Sequence, residues 1–283
     1  MGRSTKFRAD KFRIINRYAK GFDTIKETIA KGDLISLIDK KNYIYLIDTN
    51  QKTDHFKGVG VLNPNDLIGK EYGSIFTVNT KEFYLLKPTI MDKFKALKRK
   101  AQIIIPKDAA HIILHCDITP GNTILEAGVG SGGLTTILAS MIKPEGMVIS
   151  YDLRNDFIKH AQKNIDNAQL HDFVKIKEKD VTKSIDETNL HAIILDIPNP
   201  WDAVKHAWNA LEIGGTLCTY SPLISQVENT IKTMKEYSFI DIKTFETIYR
   251  EMIVKEQGTR PSFDMLGHTG YLTFARKVTS ELL

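Results

Sequence analysis

The 283-residue chain has only two cysteines, and it has no apolar stretch of the roughly 18 residues that a membrane-spanning helix needs. Its N-terminus is basic and lacks the apolar core of a secretory signal, so neither a membrane span nor export is predicted. Cys116 and Cys218 lie far apart in separate apolar segments, which favours core thiols over a disulfide and a reducing, cytoplasmic location. The 42% hydrophobic and 26% charged content is that of an ordinary globular protein, long enough for two domains.

Acidic residues are scarce at the N-terminus, where residues 1–31 contain nine Lys and Arg but only three Asp and Glu. Of the totals of 39 and 34, this leaves 30 basic and 31 acidic residues for the rest of the chain, so the whole net charge of +5 is N-terminal. A second basic run lies within residues 93–100. Such clusters attract polyanions by neutralising phosphates. Composition alone leaves RNA contact and a solvated helix face or flexible arm equally open.

The order of predicted elements divides the chain into three parts. A basic extension covers residues 1–31. Short β-rich runs separated by turn residues follow at 34–38, 43–47, 59–61, 74–78 and 83–86. They predict a small antiparallel β-domain over residues 32–87. The third part, residues 88–283, is expected to hold the catalytic domain, and a connecting helix over 87–100 is predicted at its start.

From residue 101 onward, apolar β-runs alternate with helical patterns, which predicts βαβ units and a mostly parallel sheet. The predicted strands cover residues 123–127, 147–152, 174–177, 192–196 and 216–220. Two late segments, 240–248 and 270–277, predict a terminal antiparallel hairpin. The expected fold class is therefore α/β, with a Rossmann-like, mostly parallel sheet, a C-terminal antiparallel hairpin and a small N-terminal β-domain.

Residues 124–133 are the most informative stretch, because an apolar run ends at Glu126, a glycine-dense loop follows, and a helical pattern comes next. This order predicts a strand, a tight turn and a helix N-terminus. Glycine permits backbone N–H groups to approach a ligand that a Cβ would exclude. Gly128, Gly130 and Gly133 also fit the dinucleotide pattern G-x-G-x-x-G, so the loop by itself does not identify the nucleoside cofactor.

Three further features lie at the ends of successive predicted strands, where open α/β sheets bind ligands. Asp152 can accept both hydroxyls of a ribose, in NAD or in S-adenosylmethionine. Asp180 and Val181 follow the next strand, where a short polar side chain can meet an adenine amino group. Asp196 and Trp201 follow the fourth strand, and Trp201 is either a flat wall for a base or a core residue. A carboxylate and an aromatic residue beside the cofactor loop favour a methyltransferase, because a dehydrogenase keeps its hydride-transfer residues in a separate domain.

An ordered set of stretches in the chain matches one family. The stretches are residues 101–108, 124–134, 150–157, 195–201, 220–222 with Gln226 and Val227, 260–261 and 267–272. Together they resemble the tRNA adenine-N1 methyltransferases that act on the T loop. The likeness runs from about Gly32 to Lys277 and is looser in the β-domain. The order of the motifs is specific, although no single motif is.

This resemblance implies an enzyme with the class I S-adenosylmethionine fold, tRNA as its partner, and usually a homotetramer. It implies methylation of N1 of adenine 58, with archaeal members sometimes adding adenine 57. No metal or membrane partner is expected. The residues expected to bind S-adenosylmethionine are Gln102, Glu126, Gly128, Gly130, Ser131, Gly132, Gly133, Leu134, Asp152, Asp180, Val181 and Asp196.

Two positions depart from the family pattern. Ile105 stands where members usually have Tyr, so only apolar contact is available there. Asp152 is one methylene shorter than the Glu that commonly occupies its position. One alternative is a non-catalytic tRNA-binding subunit, which the intact glycine loop and Asp196 argue against. Another is a methyltransferase with a protein or small-molecule substrate, which the basic extension argues against.

Asp196 and Tyr220 are the predicted catalytic residues. Neutral adenine has a lone pair on N1, so no proton need be removed and the enzyme mainly positions the base. Asp196 is expected to accept a hydrogen bond from the N6 amino group of an everted adenine, orienting N1 and stabilising the growing positive charge. Tyr220 is expected to stack on or flank that base, with a buried tyrosine at the sheet edge as the alternative.

Other titratable residues are expected to be structural. His111 and His115 have the spacing of helical metal ligands, but a packed helix is the preferred interpretation because no acid adjoins them. His268 is expected to fix a turn or a subunit contact. Lys107 and Arg154 have the reach for a phosphate or a cofactor carboxylate, but solvated ion pairs are the simpler expectation.

Overall fold

The computed structural model describes residues 27–279, so most of the predicted basic extension lies outside the described residues. Within the described part, the chain divides into two compact units. One contains the residues up to Tyr43 together with Ile47–Lys87, and the other contains Ile44–Leu46 together with the residues from Pro88 onward. The three-part division drawn from the sequence stays a prediction.

The first unit contains most of a set of short strands. They are β1 Leu34–Asp39, β2 Ile44–Asp48, β3 Asp54–Phe56, β4 Gly60–Leu62, β5 Ile75–Val78 and β6 Lys81–Leu86. The exception is the beginning of β2, because Ile44–Leu46 group with the second unit. A four-stranded sheet has the order β2-β1-β6-β5, and β3 pairs with β4 as a separate ribbon. Alternation sets the core side of β6, because Phe83 and Leu85 are buried while Tyr84 and Leu86 are exposed. Sequence patterning misses β3, whose three residues include only one apolar side chain.

The second unit contains a seven-stranded sheet and its covering helices. Its strands are β7 Thr123–Ala127, β8 Met147–Asp152, β9 Val174–Glu178, β10 Leu190–Leu195, β11 Leu211–Ser221, β12 Phe239–Phe245 and β15 Tyr271–Lys277. Between β12 and β15 the chain forms a separate ribbon of β13 Met252–Lys255 and β14 Gly258–Pro261. Its helices are α1 Ile90–Ala96, α2 Pro106–His115, α3 Gly133–Met141, α4 Asn155–Asn167, α5 Val204–Ala210 and α6 Ile224–Met234.

The strand order of the large sheet is β12-β15-β11-β10-β7-β8-β9. Strands β11, β10, β7, β8 and β9 run parallel, whereas β15 pairs antiparallel with both β11 and β12. The predicted fold class is confirmed, and the ribbon β13–β14 occupies the connection within the predicted terminal hairpin. The chain goes from β7 to β8 and β9 on one side and then to β10 on the other, so its direction switches between β7 and β10.

Helices cover both faces of the large sheet. On one face, α1, α2 and α3 contribute Phe94, Ile112 and Leu138 to a hydrophobic cluster. On the other face, α5 and α6 contribute Val204 and Met234 to a second cluster. The parallel strands therefore bury side chains on both faces, as their nearly continuous apolar sequences predict. Within residues 27–279, no helix combines the length and the apolar character needed to cross a membrane.

Helix α1 is shorter than the helix predicted over residues 87–100. Its start is fixed by a capping box, in which the Thr89 hydroxyl accepts from the Asp92 N–H (3.1 Å) and the Asp92 carboxylate accepts from the Thr89 N–H (2.9 Å). Its end comes at Ala96, because Leu97 turns to an extended backbone and buries its side chain. The basic residues that follow therefore lie on an irregular segment and not on a helix face.

Candidate active site

The carboxyl ends of β7, β8 and β10 meet at one edge of the large sheet. Asp196, directly after β10, donates its N–H to the carbonyl of Ala127 at the end of β7 (2.8 Å). Gly128 donates its N–H to the carbonyl of Tyr151 in β8 (2.9 Å). These bonds continue the strand pairing past the strand ends, so the glycine loop begins at the switch point of the sheet.

Gly128 is the point at which this loop and the tip of β10 come closest. Its φ of 93° lies in the left-handed region, and a Cβ added there would stand 2.1 Å from the carbonyl oxygen of Asp196. Gly132, with φ of 77°, is the N-cap residue of α3. Only glycine satisfies both the backbone conformation and the close approach at Gly128. Gly130 differs, because an added Cβ there would meet no atom within 4 Å.

A cavity of about 390 Å³ opens beside the ends of β8, β9 and β10. Predicted cofactor residues in its lining are Gly128, Asp152, Asp180, Val181 and Asp196. Asp152 is only 7% exposed and accepts hydrogen bonds from the N–H groups of Arg154 (3.0 Å) and Gly130 (3.3 Å). Asp180 accepts from the Thr182 hydroxyl (2.6 Å) and N–H (2.9 Å), which lowers the pKa of its carboxyl. Sequence reasoning missed Thr182, although Asp-x-Thr is an Asx-turn signal.

A narrow cleft of about 20 Å³ adjoins this cavity and shares Gly128 and Asp196 with it. Other predicted cofactor residues that line the cleft are Gln102, Glu126, Gly130, Ser131, Gly133 and Leu134. Ile103 and Ile104 complete its wall and were missed, because nothing in an isolated apolar pair indicates a binding site. Every predicted cofactor residue except Gly132 therefore faces one of these two openings. That they bind a cofactor stays a prediction.

Two carboxyl groups at the site have raised pKa values. Burial raises the pKa of Glu126 to about 7, although its carboxylate accepts hydrogen bonds from the hydroxyls of Thr135 (2.5 Å) and Ser150 (2.7 Å). The nearby charge of Asp196 adds to this rise. Desolvation raises the pKa of Asp196 itself to about 7. At neutral pH both groups are thus divided between their charged and neutral forms, which is a common property of functional sites.

Tyr220, the second predicted catalytic residue, is only 8% exposed and packs in the hydrophobic cluster that contains Leu272. It lines neither of the two openings. Burial raises the pKa of its hydroxyl to about 12, and the charge of Asp196 contributes, so the two groups lie within electrostatic reach. Trp201, the predicted base wall, is half-buried in the turn after β10 and also lines neither opening. Stacking of Tyr220 on a base stays a prediction.

The expectation of a solvated ion pair at Lys107 is wrong. Its side chain is 8% exposed and donates to the Asp108 carboxylate (2.6 Å) and the Thr269 hydroxyl (2.7 Å), so it belongs to a buried ion pair. Neighbouring sequence could not reveal this, because Thr269 lies 162 positions away. Arg154 is exposed as expected, and its guanidinium carbon lies 3.6 Å from the centre of the Phe157 ring.

His111 and His115 are stacked, with 5.9 Å between their ring centres, and His115 also packs on Phe274 at 4.9 Å. Both rings therefore take part in helix packing. In the part of the chain that the structure describes, no three His, Cys, Asp or Glu side chains are grouped to hold a metal ion. Cys116 and Cys218 are both free and buried, which confirms the prediction of core thiols.

The fold and the site together define a class. A mostly parallel sheet with a glycine loop at its switch point and acidic residues at the ends of β8 and β9, around a cavity of nucleoside size, is the arrangement of a class I, Rossmann-like methyltransferase.

Sequence comparisons identify the family within this class. A family model described as the tRNA methyltransferase complex GCD14 subunit matches residues 81–260. A curated relative, the tRNA (adenine(57)-N(1)/adenine(58)-N(1))-methyltransferase TrmI of Methanocaldococcus jannaschii, is 36% identical over 269 residues, which cover 85% of this chain and 93% of the relative. The chain therefore belongs to this family of tRNA methyltransferases.

Two solved structures of methyltransferases share the fold of this chain. A SAM-dependent O-methyltransferase from Thermotoga maritima is 33% identical, with a TM-score of 0.76 over 90% of this chain and 97% of that protein. The tRNA (m1A58) methyltransferase TrmI from Aquifex aeolicus is 26% identical, with a TM-score of 0.70 over 90% of this chain and 100% of that protein. The similarity thus extends over nearly the whole length of both proteins.

Proposed function

We propose that the protein transfers a methyl group from S-adenosylmethionine to N1 of adenine in the tRNA T loop, at position 58 and also at position 57. The name of the Methanocaldococcus jannaschii relative contains both positions. The observation that carries the proposal is the place of Asp196, at the meeting of the cavity and the cleft. There it touches the glycine loop at Gly128, where a side chain would have no room.

The lining of the two openings fits S-adenosylmethionine. Asp152 offers two carboxylate oxygens to the hydroxyls of a ribose, and Asp180 with Val181 offers an acceptor and an apolar contact to adenine. The open space around Gly130 leaves room beside the backbone for the amino-acid end. When bound, S-adenosylmethionine supplies the electrophilic methyl group.

The protein's own contribution is mainly to position the target base. The adenine must first leave its stack, at a cost of a few kcal/mol. The Asp196 carboxylate then accepts a hydrogen bond from the N6 amino group, which orients N1 and stabilises the positive charge that grows on the ring. No general base is required, because N1 of neutral adenine already carries its lone pair. Ile105, half-buried directly before α2, lines neither opening and has only an apolar side chain to offer.

Mass analysis of nucleosides tests this function directly. Unmodified tRNA is incubated with the protein and S-adenosylmethionine, digested, and examined for N1-methyladenosine and its position. The expected result is modification at position 58, with position 57 appearing on substrates that carry adenine there. Binding of tRNA without uptake of S-adenosylmethionine would instead identify a non-catalytic tRNA-binding subunit. Methylation of a protein or a small molecule in place of tRNA would also contradict the proposal.

A homotetramer and a cytoplasmic location are part of the same proposal. Self-association is supported by large apolar side chains exposed on and beside the ribbon β13–β14, among them Val254 at 76% and Phe263 at 81%. Two free cysteines support a reducing compartment. Light scattering of the purified protein measures the assembly state.

The basic segment Lys98–Arg99–Lys100, between α1 and α2, supports contact with tRNA. The Lys98 N–H donates to the Asn164 side-chain oxygen (3.2 Å), and the Asn164 amide donates back to the Lys98 carbonyl (3.0 Å). The Lys100 N–H donates to the Ser131 hydroxyl in the glycine loop (2.9 Å). These bonds fix the backbone of the basic segment beside the cleft, so its charges stand near the proposed reaction.

Two of the three charged groups in the basic segment form no ion pair with the described residues, and the Arg99 guanidinium carbon lies 5.6 Å from the centre of the Phe94 ring. Lys100 pairs with Asp156, whereas the ion pairs formed within residues 27–279 include neither Lys98 nor Arg99. Both side chains are exposed. An exposed, unpaired cation gains binding energy by displacing counterions from nucleic acid.

Replacing both Lys98 and Arg99 by alanine is expected to raise KM for tRNA by about tenfold at moderate salt while kcat changes little. The reason is that two phosphate contacts are lost without any change at Asp196. The slope of log affinity against log salt concentration should fall by about 1 to 2. Filter binding at several salt concentrations and steady-state kinetics measure both quantities.

The control for this prediction is the double replacement of Lys232 and Lys235 by alanine. These exposed lysines lie at the end of α6, on the opposite face of the large sheet, and their loss changes the net charge equally. An equal effect of the two double variants would show that overall charge, and not the basic segment, governs tRNA binding.

A further inference from the structure

The segment Gly267-His268-Thr269-Gly270 directly precedes β15 and lies against the end of β11 that carries Tyr220. The antiparallel register of β11 and β15 pairs Tyr220 with Leu272 and Ser221 with Tyr271, so the segment continues past the tip of β11. His268 holds it there, with Nε2 2.9 Å from the Pro222 carbonyl oxygen and Nδ1 2.6 Å from the Glu246 carboxylate. The proposed reaction gives this segment no role.

Gly270 supports the ring of Tyr220. A Cβ added to Gly270 would stand 2.5 Å from Cζ, 2.7 Å from Cε2 and 3.0 Å from Cε1 of that ring. These distances are well inside van der Waals contact, so the backbone of Gly270 lies directly against the ring. Because Tyr220 is itself buried, any side chain at position 270 would force the ring to move.

The hydroxyl of Thr269 forms two hydrogen bonds. It donates to Asp108 Oδ2 (2.9 Å) and accepts from Lys107 Nζ (2.7 Å). Both bonds tie Thr269 to α2, so the residue directly before Gly270 is held in place. The Thr269 side chain also lies close to the Tyr220 hydroxyl, where it opposes the rise that burial causes in the pKa of that group.

The ion pair beneath Thr269 is unusual for its burial, since the side chains of Lys107 and Asp108 are only 8% and 0% exposed. Charges are costly to remove from water, and a buried pair is weak support for stability by itself. The structural role of this ion pair is to hold the Thr269 hydroxyl in one orientation. The pair lies near Tyr220, whose hydroxyl is influenced by the charges of Asp108 and Asp196.

We propose that Thr269 and Gly270 are positioning residues, which fix the ring of Tyr220 beside Asp196. Gly270 sets the plane of the ring, and Thr269, tied to Lys107 and Asp108, holds Gly270 against it. The proposal rests on the proposed function for its effect on the reaction, but the placement of Tyr220 is measurable without it.

The first test compares Gly270→Ala with the matched control Gly267→Ala, because a Cβ at position 267 would meet nothing within 4 Å. Fluorotyrosine is incorporated into the protein, and the fluorine NMR signal of Tyr220 is assigned with Tyr220→Phe. Gly270→Ala is expected to shift this signal in the ligand-free protein, whereas Gly267→Ala leaves it in place. In Gly270→Ala, kcat on tRNA should fall about tenfold while the Kd for S-adenosylmethionine stays within about twofold.

The second test uses Thr269 and remains decisive if Gly270→Ala fails to fold. Thr269→Val keeps the shape of the side chain and removes the hydroxyl, while the direct bond between Lys107 and Asp108 persists. Thr269→Val should lower kcat and shift the Tyr220 signal, and Thr269→Ser should restore both. In a Tyr220→Phe background, Thr269→Val should add little further loss, because Thr269 acts on the reaction only through Tyr220.

Several outcomes would overturn the inference. A Tyr220 signal that moves in neither Gly270→Ala nor Thr269→Val would do so, as would fully additive losses for Thr269→Val and Tyr220→Phe. A shifted signal with wild-type kcat would also do so, since Tyr220 would then be misplaced without consequence. If the wild-type protein forms no N1-methyladenosine, the proposed function fails, while the fluorine signals still decide whether these residues position Tyr220.

Discussion

The Asp196→Asn variant is expected to methylate tRNA about 10²- to 10³-fold more slowly than the wild-type protein, with nearly unchanged affinity for S-adenosylmethionine. Asparagine has almost the same shape and retains one acceptor oxygen, so the surroundings of Gly128 are undisturbed. What it loses is the negative charge that stabilises the positive charge growing on adenine. Single-turnover kinetics with saturating cofactor and calorimetric titration of S-adenosylmethionine separate the two effects.

The rate of methyl transfer should also depend on pH, and the Asp196→Asn variant should change that dependence. Only the ionised carboxylate of Asp196 performs the proposed role, and desolvation raises its pKa to about 7. The wild-type kcat/KM should therefore rise with pH through about 7. The rise belongs to a coupled pair, because Glu126 also has a pKa of about 7 and feels the charge of Asp196. Asp196→Asn should lose most of this rise, and Glu126 should titrate at lower pH.

Stability against pH shows whether the variant is intact. The pKa of Asp196 is higher in the folded protein than the ordinary value of 3.8, so the folded state holds the proton more tightly and stability falls as pH rises from about 4 to about 7. Asp196→Asn removes that loss. The variant should be more stable than the wild-type protein at pH 8 by about 2 to 4 kcal/mol, and this gain should disappear near pH 4. A wild-type rate, or lower stability at pH 8, would contradict the role of Asp196.

The position of Asp196 in the site could be predicted from the sequence. An acid that directly follows an apolar strand in a βαβ pattern lies at the carboxyl edge of the sheet, wherever the helices pack. Asp152 and Asp180 were found by the same reasoning, and both line the cavity. The parallel strands carry long apolar runs, so four of the five were predictable within two residues, whereas β11 begins five residues before the predicted strand.

Features that depend on distant contacts could not be predicted in this way. The pattern of residues 87–100 favours a helix, but burial of Leu97 ends it at Ala96. Among the described residues, β3 pairs with β4 alone and β13 with β14 alone, and the exposed residues of these short strands show no clear alternation. The surroundings of Tyr220 are set by Thr269 and Gly270, which reach it only through the antiparallel return of β15.

Gly128 joins the two halves of the site, so its replacement should affect both cofactor binding and methyl transfer. A Cβ at this position would stand 2.1 Å from the carbonyl oxygen and 3.1 Å from the carbonyl carbon of Asp196. Those are backbone atoms, so no rotation of a side chain can relieve the contact. The Asp196 N–H is also bonded to Ala127 (2.8 Å), which prevents the tip of β10 from moving independently of β7. Either the glycine loop or the catalytic carboxylate must be displaced.

Gly128→Ala is therefore expected to weaken binding of S-adenosylmethionine by more than about 10²-fold and to abolish measurable methyl transfer. The matched control is Gly121→Ala. Gly121 has a φ of 88°, close to the 93° of Gly128, but an added Cβ there would meet nothing within 4 Å. The control carries only the left-handed strain, so it should lose roughly 1 to 2 kcal/mol of unfolding free energy and keep its cofactor affinity.

Calorimetric titration with S-adenosylmethionine and denaturant unfolding of both glycine variants measure these effects. If Gly128→Ala binds the cofactor within a few-fold of Gly121→Ala, the contact between the loop and Asp196 does not shape the binding site. The proposed junction of cofactor and catalytic residue at the β7–β10 switch point would then be wrong. If Gly128→Ala instead loses binding while unfolding like its control, the defect lies in the placement of Asp196 and the loop and not in the stability of the fold.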